Sequence, residues 1–339
     1  MARPKKILND PRHAVPELLE GLVASSHGRL KKVDGVTAVM RSSLPPDRVG
    51  LLIGGGSGHE PLFPGLVGEG MADGAACGHI FAAPSPDVIL AVTRAIHRGR
   101  GVVYLYGNYA GDNMNFDLAA EMAAEEGIVT RTIRVWDDVA SAPRERIDDR
   151  RGIAGDLFVT KIAGAAVAQL NDLDEVCRVV TKARDQVRTI GVALQAGSSP
   201  DTGERTFELG EEEMEIGMGL HGEPGVSRGA LRPADALVED MLAPILADLP
   251  FQRGDEVVLL VNDLGATTWM ELLIVARKAH LVLKERGIAV YDTVVGSFCT
   301  CQEMAGCSIS LMKVDAELKR FYQAPARSLA LTRGENSWE

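Results

Sequence analysis

Residues 50–61 read Gly-Leu-Leu-Ile-Gly-Gly-Gly-Ser-Gly-His-Glu-Pro. The apolar run from Val49 to Ile53, bounded by breakers on both sides, has the length and composition of a buried strand. It leads into three glycines, a serine, a fourth glycine and a histidine. Glycine permits positive φ and close approach of a ligand to the main chain, and successive N–H groups in such a turn can cradle an anion. Gly55, Gly56, Ser57 and Gly58 are therefore candidate binding residues for a phosphate or an oxygen-rich small molecule. A tight strand-to-helix turn with His59 as its cap is the plainer alternative. The pattern fits neither the dinucleotide fingerprint nor the Walker loop, and no Gly-Lys pair occurs anywhere in the chain.

Outward from this stretch the chain alternates short apolar runs with helical stretches. Leu18, Leu19, Leu22 and Val23 have helical spacing, and Pro84-Ser85-Pro86-Asp87 opens another helix, with Asp87 as a candidate cap. Gly101–Gly107 is a second strand, running into a loop over Asn108–Asn113; a helix from Met114 to Glu126 and a strand from Ile128 to Val135 follow. Asp137–Arg151 is charged and reads as an exposed loop. A buried helix over Leu157–Leu170 and a more polar one over Leu173–Thr189 precede a strand beginning at Ile190. Helices over Leu231–Leu249 and Trp269–Glu285 are interleaved with strands over Glu256–Val261 and Ile288–Val295. Such alternation implies an α/β protein with mixed, mostly parallel sheets. Two α/β domains are expected, over residues 1–187 and 188–339.

The 339 residues are enough for roughly two domains. Hydrophobic content of 46% and charged content of 24% are those of a globular protein. A net charge of −11 argues against nucleic-acid or anionic-membrane partners. No apolar run approaches the roughly 18 residues of a membrane span. The basic N-terminus lacks an apolar stretch of the secretory kind, and five scattered cysteines suit a reducing compartment. A cytoplasmic location is expected.

Two histidines lie in glycine-framed loops, His59 in Gly-His-Glu-Pro and His221 in Gly-Leu-His-Gly-Glu-Pro-Gly; Asp112 stands between them in sequence. In open α/β sheets ligands bind beyond the carboxyl ends of strands. A histidine and a carboxylate in such a crevice are the parts of a general acid and base, and a neutral imidazole can attack a carbonyl. The same three residues could also ligate a metal, although no His-x-x-x-His or Cys-x-x-Cys favours one. Equally, Asp112 could cap a helix and His221 could be a satisfied buried histidine. Cys299, Cys301 and Cys307, Cys77-Gly78-His79, Lys161 and the Asp137/Asp138 pair read as packing, structural or solvated groups.

Across essentially its whole length the chain resembles the dihydroxyacetone kinase family, in its K-type ketose-binding subunit. The stretches that carry the resemblance are GGGSGHEP (54–61), NYAGDNMNF (108–116), RRGIAGDLFVTKIAGAAV (150–167), GMGLHGEPG (217–225) and VNDLGATTWMEL (261–272). The resemblance implies that His221 binds the ketone of dihydroxyacetone as a hemiaminal. Asp112 would take the proton of the phosphorylated hydroxyl, and His59 would hydrogen-bond the substrate. Gly55 and Gly56 would supply backbone donors. It further implies a homodimer that binds no cofactor or metal itself, with ATP or ADP and magnesium on a separate L-type nucleotide-binding subunit. The donor behind that partner would be ATP or a phosphohistidine relay. Gly107 stands where some members carry lysine, and Ala83 where a small hydroxyl residue is common. Both departures leave room for a four-carbon ketose such as erythrulose. Some relatives are ketose sensors that activate a transcriptional partner; Asp112 favours the kinase, because a sensor needs no base.

Overall fold

A computed structural model describes residues 5–334; the basic start of the chain, as far as Pro4, lies outside them. The chain forms two compact units. One comprises Lys6–Val135, Leu157–Arg184 and the described residues from Glu317 onward; the other comprises Trp136–Asp156 and Asp185–Ala316. The units thus interleave, which corrects a single boundary between residues 187 and 188. The reason is local hydrogen bonding. Val139 N–H donates to the Thr189 carbonyl and Thr189 N–H to that of Asp137, which ties the 136–156 segment to the strand beginning at Val187. At the other end, Glu69 and Arg327 exchange a pair of backbone hydrogen bonds that tie the tail to the first unit.

The first unit opens with α1 (Ala14–Ser25) and holds a six-stranded sheet. Its strands are β1 (Leu30–Lys32), β2 (Ala38–Arg41), β3 (Arg48–Ser57), β4 (Gly74–Ile80), β5 (Gly99–Gly107) and β6 (Thr130–Val135). They stand in the order β1-β2-β4-β3-β5-β6. The pairs β4-β3, β3-β5 and β5-β6 are parallel, while β1-β2 and β2-β4 are antiparallel. Two helices follow from the crossovers, α2 (Pro86–Ile96) and α3 (Ala110–Glu125). Leu52, Ile89, Val92, Tyr104 and Phe116 make the core between them and the sheet. Phe116 stacks on Tyr106 with ring centroids 4.1 Å apart, and the Tyr104 hydroxyl is 2.7 Å from that of Thr93.

Helices α4 (Asp156–Gln169) and α5 (Leu173–Asp185) come next in the chain. The second unit's sheet contains β7 (Val187–Gln195), β8 (Glu213–Ile216), β9 (Ser227–Ala230), β10 (Glu256–Asp263), β11 (Ala289–Gly296) and β12 (Ala305–Val314), in the order β11-β10-β12-β7-β8-β9. It is mixed as well, with β10-β11 parallel and β12 antiparallel to both of its neighbours. Helices α6 (Ala234–Asp248) and α7 (Trp269–Arg286) bury Leu242, Ile245, Leu272 and Val275 against Val257, Leu259 and Val261. The ends of α7 are written in the sequence. Thr268 and Glu271 form a reciprocal capping box, and Gly287, at φ 71°, closes the helix in the left-handed region. The chain finishes with α8 (Ala316–Gln323) and a short antiparallel pair, β13 (Ala326–Arg327) and β14 (Thr332–Arg333).

Asp137–Arg151 is only in part the exposed loop its charges suggest: residues 143–146, 148 and 149 are exposed, but the ends of the segment are not. Asp137, Asp138 and Arg150 are buried, and Arg150 makes a two-pronged contact to Asp248 at 2.9 and 2.6 Å. A third donor, Nε, reaches the Ala142 carbonyl at 2.7 Å. Lys161, on α4, is also buried, with its ammonium donating to the Phe321 carbonyl at 2.9 Å. Burial, reinforced by the charge of Arg333, lowers its pKa to about 7. The folded state then binds fewer protons than the unfolded one between that value and the ordinary lysine range, so stability rises with pH across that window. Urea unfolding at about pH 7 and about pH 10 should show this rise in the wild type and lose it in Lys161→Met. Equal pH dependence in the two proteins would contradict the assignment.

Candidate functional site

Strand β3 continues through Ser57, so the glycines are not a loop: Gly55 pairs with Cys77 and Ser57 with Ile80 on β4. Gly56 falls at a register irregularity between them, a bulge of the kind that re-aims a strand end. Only Gly58 of this run takes a left-handed backbone, at φ 104°. Close packing explains the other glycines. A Cβ on Gly54 would lie 2.6 Å from the Ala76 carbonyl, one on Gly55 2.4 Å from the Phe63 ring, and one on Gly56 2.8 Å from the Ala82 nitrogen. The glycines thus form a strand end under tight steric constraint, with Gly58 as its left-handed bend. The Ser57 hydroxyl donates to the Gly78 carbonyl at 2.8 Å, and the Gly58 N–H is held by the Glu60 carboxylate at 3.0 Å.

His59 is buried at this strand end and tilts against the Phe81 ring, with centroids 5.3 Å apart. Phe63 and Phe81 both have positive φ, 65° and 58°. For bulky side chains that is a strained conformation, and such strain concentrates at functional sites. Because β3 and β5 are parallel neighbours with Ile53 opposite Leu105, their carboxyl ends open on the same edge of the sheet. Asp112 lies there in the first turn of α3, buried, where the helix dipole favours a carboxylate. It is not the cap; Tyr109 holds that position, because the helix begins earlier than Met114. The loop over 81–84 joins the two features. It abuts Gly56 through Ala82, and the Asn115 side chain donates to the Pro84 carbonyl at 2.8 Å.

In the second unit His221 sits in the turn following β8. Gly217 and Gly222, at φ 80° and 83°, form its bends, and Gly219 N–H donates to the Glu223 carbonyl at 2.9 Å. Glu223 folds back onto the histidine. One carboxylate oxygen accepts the His221 backbone N–H at 2.9 Å, and the other lies 3.1 Å from Nδ1. An ionised carboxylate only accepts, so Nδ1 carries a proton, and in the neutral imidazole the lone pair is then on Nε2. Burial alone would push the Glu223 pKa upward. The bond to His221 and the nearby charge of Arg151, whose Nη1 is 3.7 Å away, overcome that and draw it down to about 2. Arg151 is in turn fixed by the buried Asp138 at 2.8 Å and by the Gly217 carbonyl at 3.1 Å. Burial raises Asp138 to about 6 against the pull of Arg151.

Sequence reasoning named His59, Asp112 and His221 but missed Glu223, Arg151 and Asp138. Glu223 had a signal: an acid two residues from a histidine in a glycine-rich turn can reach back to the ring. Arg151 had none, since its approach to the His221 turn is across a long sequence separation. The structure brings the Gly54–Gly58 strand end, His59 and the Asp112 turn to one edge of the first sheet, and His221, Glu223 and Arg151 together in the second unit. The cysteines Cys77, Cys299, Cys301 and Cys307 are buried, and burial pushes the thiols of Cys77, Cys299 and Cys307 upward. Among the described residues, no group of three or more His, Cys, Asp or Glu is arranged to hold a metal ion. None of the described helices is long and apolar enough to cross a membrane.

Residues 20–330 match the family model described as the Dak1 domain. The chain is 42% identical to the dihydroxyacetone-binding subunit DhaK of a phosphotransferase-system-dependent dihydroxyacetone kinase from Listeria innocua, over 95% of this chain and 97% of that one. It is 40% identical to D-erythrulose kinase of Mycolicibacterium smegmatis over 97% of this chain, but spans only 57% of that longer protein. Among solved structures it superposes on the dihydroxyacetone kinase operon co-activator DhaQ with a TM-score of 0.89 and 29% identity, covering 94% of this chain and 99% of that one.

The packing at Gly55 is directly testable. Gly55→Ala forces the Phe63 ring to move and should cost about 1–3 kcal/mol of stability in chemical denaturation, the usual range for overpacking. An unchanged midpoint and slope would show that the contact is slack.

Proposed function

This chain belongs to the Dak1 domain family, and on that premise we propose that it is the ketose-binding subunit of a dihydroxyacetone-type kinase. The observation that carries the proposal is the hydrogen bond between His221 Nδ1 and Glu223, 3.1 Å long. It supports Nε2 as a nucleophile toward the ketone carbon. In that step the Nε2 lone pair forms the C–N bond, and the carbonyl π pair moves onto oxygen. The positive charge developing on the ring is met by the Glu223 carboxylate. Loss of the Nδ1 proton and gain of one at the former carbonyl oxygen give the neutral hemiaminal. Only a ketone or aldehyde can be held this way, which separates a ketose from the polyol of nearly the same shape.

Asp112 then accepts the proton of the terminal hydroxyl that receives the phosphoryl group, and His59 hydrogen-bonds the substrate and assists as acid or base. Main-chain donors of Gly55 and Gly56 hold substrate or phosphoryl oxygens, a preorganised stabilisation of developing charge. Ser57 and Gly58 act indirectly, since their donors hold the strand end together. The phosphoryl donor, with ATP or ADP and magnesium, resides on a separate L-type subunit. Phosphoryl transfer needs positioning and charge neutralisation above all, and this division of labour supplies each from a different chain.

A specific observation favours erythrulose as a second substrate reading. The Ala83 methyl lies 3.5 Å from where a Cβ would project at Gly111, on the turn that carries Asp112. A hydroxyl side chain there would be polar and larger, and we read the alanine beside the Asp112 turn as accommodating a fourth carbon. Steady-state kinetics with an L-type partner test both readings. Asp112→Asn should lower kcat by about 100-fold or more, while Glu223→Gln should weaken ketose capture by roughly 10-fold, the loss expected for a charge-assisted hydrogen bond. A kcat/KM favouring dihydroxyacetone would remove the erythrulose reading. Absence of turnover with any L-type partner, with capture intact, would replace the kinase by a ketose sensor.

A further inference from the structure

On the first unit, apart from the β3 and α3 features, the chain forms a half-open cavity of about 320 Å³ lined by residues around the ends of α1, β2 and β13. Three arginines line it, Arg29, Arg41 and Arg327, together with Ser42, Ser43 and a single acid, Glu69. On a chain of net charge −11, this concentration of guanidinium groups is unexpected from composition. Among the described residues, neither Arg29 nor Arg327 has an ion-pair partner. The third, Arg41, shares the buried Asp73 carboxylate with Arg48, at 3.1 and 3.0 Å. Two guanidinium groups on one carboxylate leave a net positive charge there as well. The hydroxyls of Ser42 and Ser43 make no hydrogen bond to any other described residue.

The walls are built rather than draped. Ser42 N–H donates to the Arg29 carbonyl at 2.9 Å, and Glu69 and Arg327 bond each other's main chains at 3.1 and 2.7 Å. The buried Ser26 hydroxyl accepts the Leu30 N–H at 3.1 Å and donates to the Val23 carbonyl at 2.7 Å, which fixes the turn preceding Arg29. Gly68 meets the Arg327 carbonyl so closely that any Cβ would lie 2.1 Å from it. The arginines therefore stand on pinned backbone, so a ligand need not organise the surrounding main chain.

We propose that this cavity binds a small phosphomonoester. Arginine is the side chain suited to forked recognition of a phosphate group. A volume of about 320 Å³ exceeds what a phosphate alone fills and leaves room for a short polar carbon chain beside the serine hydroxyls. The proposal uses neither His221 nor Asp112 and stands independently of the ketose reading.

Calorimetric titration of the intact protein with glycerol 3-phosphate at low ionic strength tests it. That probe has no ketone and so cannot be captured by His221. Binding should weaken by about tenfold in Arg29→Ala and in Arg327→Ala, the loss expected for a charge-assisted hydrogen bond. It should tighten in Glu69→Gln and be unchanged in His221→Ala. Both arginines are exposed, so their removal leaves the fold intact. A parallel titration with inorganic phosphate separates the sources: weaker binding supports the ester, and equal binding assigns the site to the free anion and overturns the ester. No binding of glycerol 3-phosphate, affinity unchanged in the Arg29→Ala/Arg327→Ala double variant, or loss of binding in His221→Ala would each overturn the proposal.

Discussion

The buried carboxylate of Asp137 is the constraint on which the His221 turn ultimately rests. It accepts the backbone N–H groups of Ile153 and Gly155, both at 2.8 Å, while its own carbonyl accepts the N–H of Thr189 on β7. Burial works to raise its pKa, and these donors oppose that by favouring the ionised form. The result is a strap, residues 136–156, folded back on itself and stitched to the sheet. Arg151 lies on that strap. From it the line of contacts runs to Asp138, to the Gly217 carbonyl and to Glu223, and from Glu223 to the His221 ring. An imidazole on a glycine-rich turn would otherwise sample many orientations. Here its direction is set by Glu223 and Arg151, on a strap that a fully buried acid pins through backbone hydrogen bonds.

A different kind of constraint shapes the first unit. Around the β3 end steric exclusion does much of the organising. Phe63, Ala76 and Ala82 press on successive glycines of one strand, and the neighbouring phenylalanines adopt left-handed backbone to fit. Tight contact of this sort is stiff, because packed atoms resist displacement of even a fraction of an ångström. His59 and Asp112 thereby sit on rigid elements, one at a strand end and the other in the first turn of a helix.

Much of this was legible in the sequence, and the failures have physical causes. The apolar runs of β3, β5, β7 and β10 and the caps of α7 declared themselves, because each follows from local chemistry. Strand β12 did not, although it joins β10 to β7. Its Ser308 and Ser310 interrupt the apolar pattern, and they are tolerated in the core only because Asn262 and Thr189 on the neighbouring strands bond their hydroxyls. Strand β4 was hidden because its glycine and alanines give no apolar strand pattern, yet such small residues suit the glycine-bearing β3 beside it. The charges of Asp137–Arg151 pointed to solvent; their partners, Asp248 among them, lie far along the chain and become visible only once it folds. The same holds for Arg151 and the His221 turn. The histidines and Asp112 were legible because glycine-framed loops after strands advertise themselves, whereas the groups that orient them were not.

The most direct test of the account is carbon NMR of carbonyl-labelled dihydroxyacetone mixed with the intact protein, beside His221→Ala. Covalent capture predicts loss of the ketone resonance and a new protein-bound resonance of a tetrahedral carbon, absent in the variant. A ketone signal that persists unchanged at saturating protein, or an adduct that survives in His221→Ala, would contradict it.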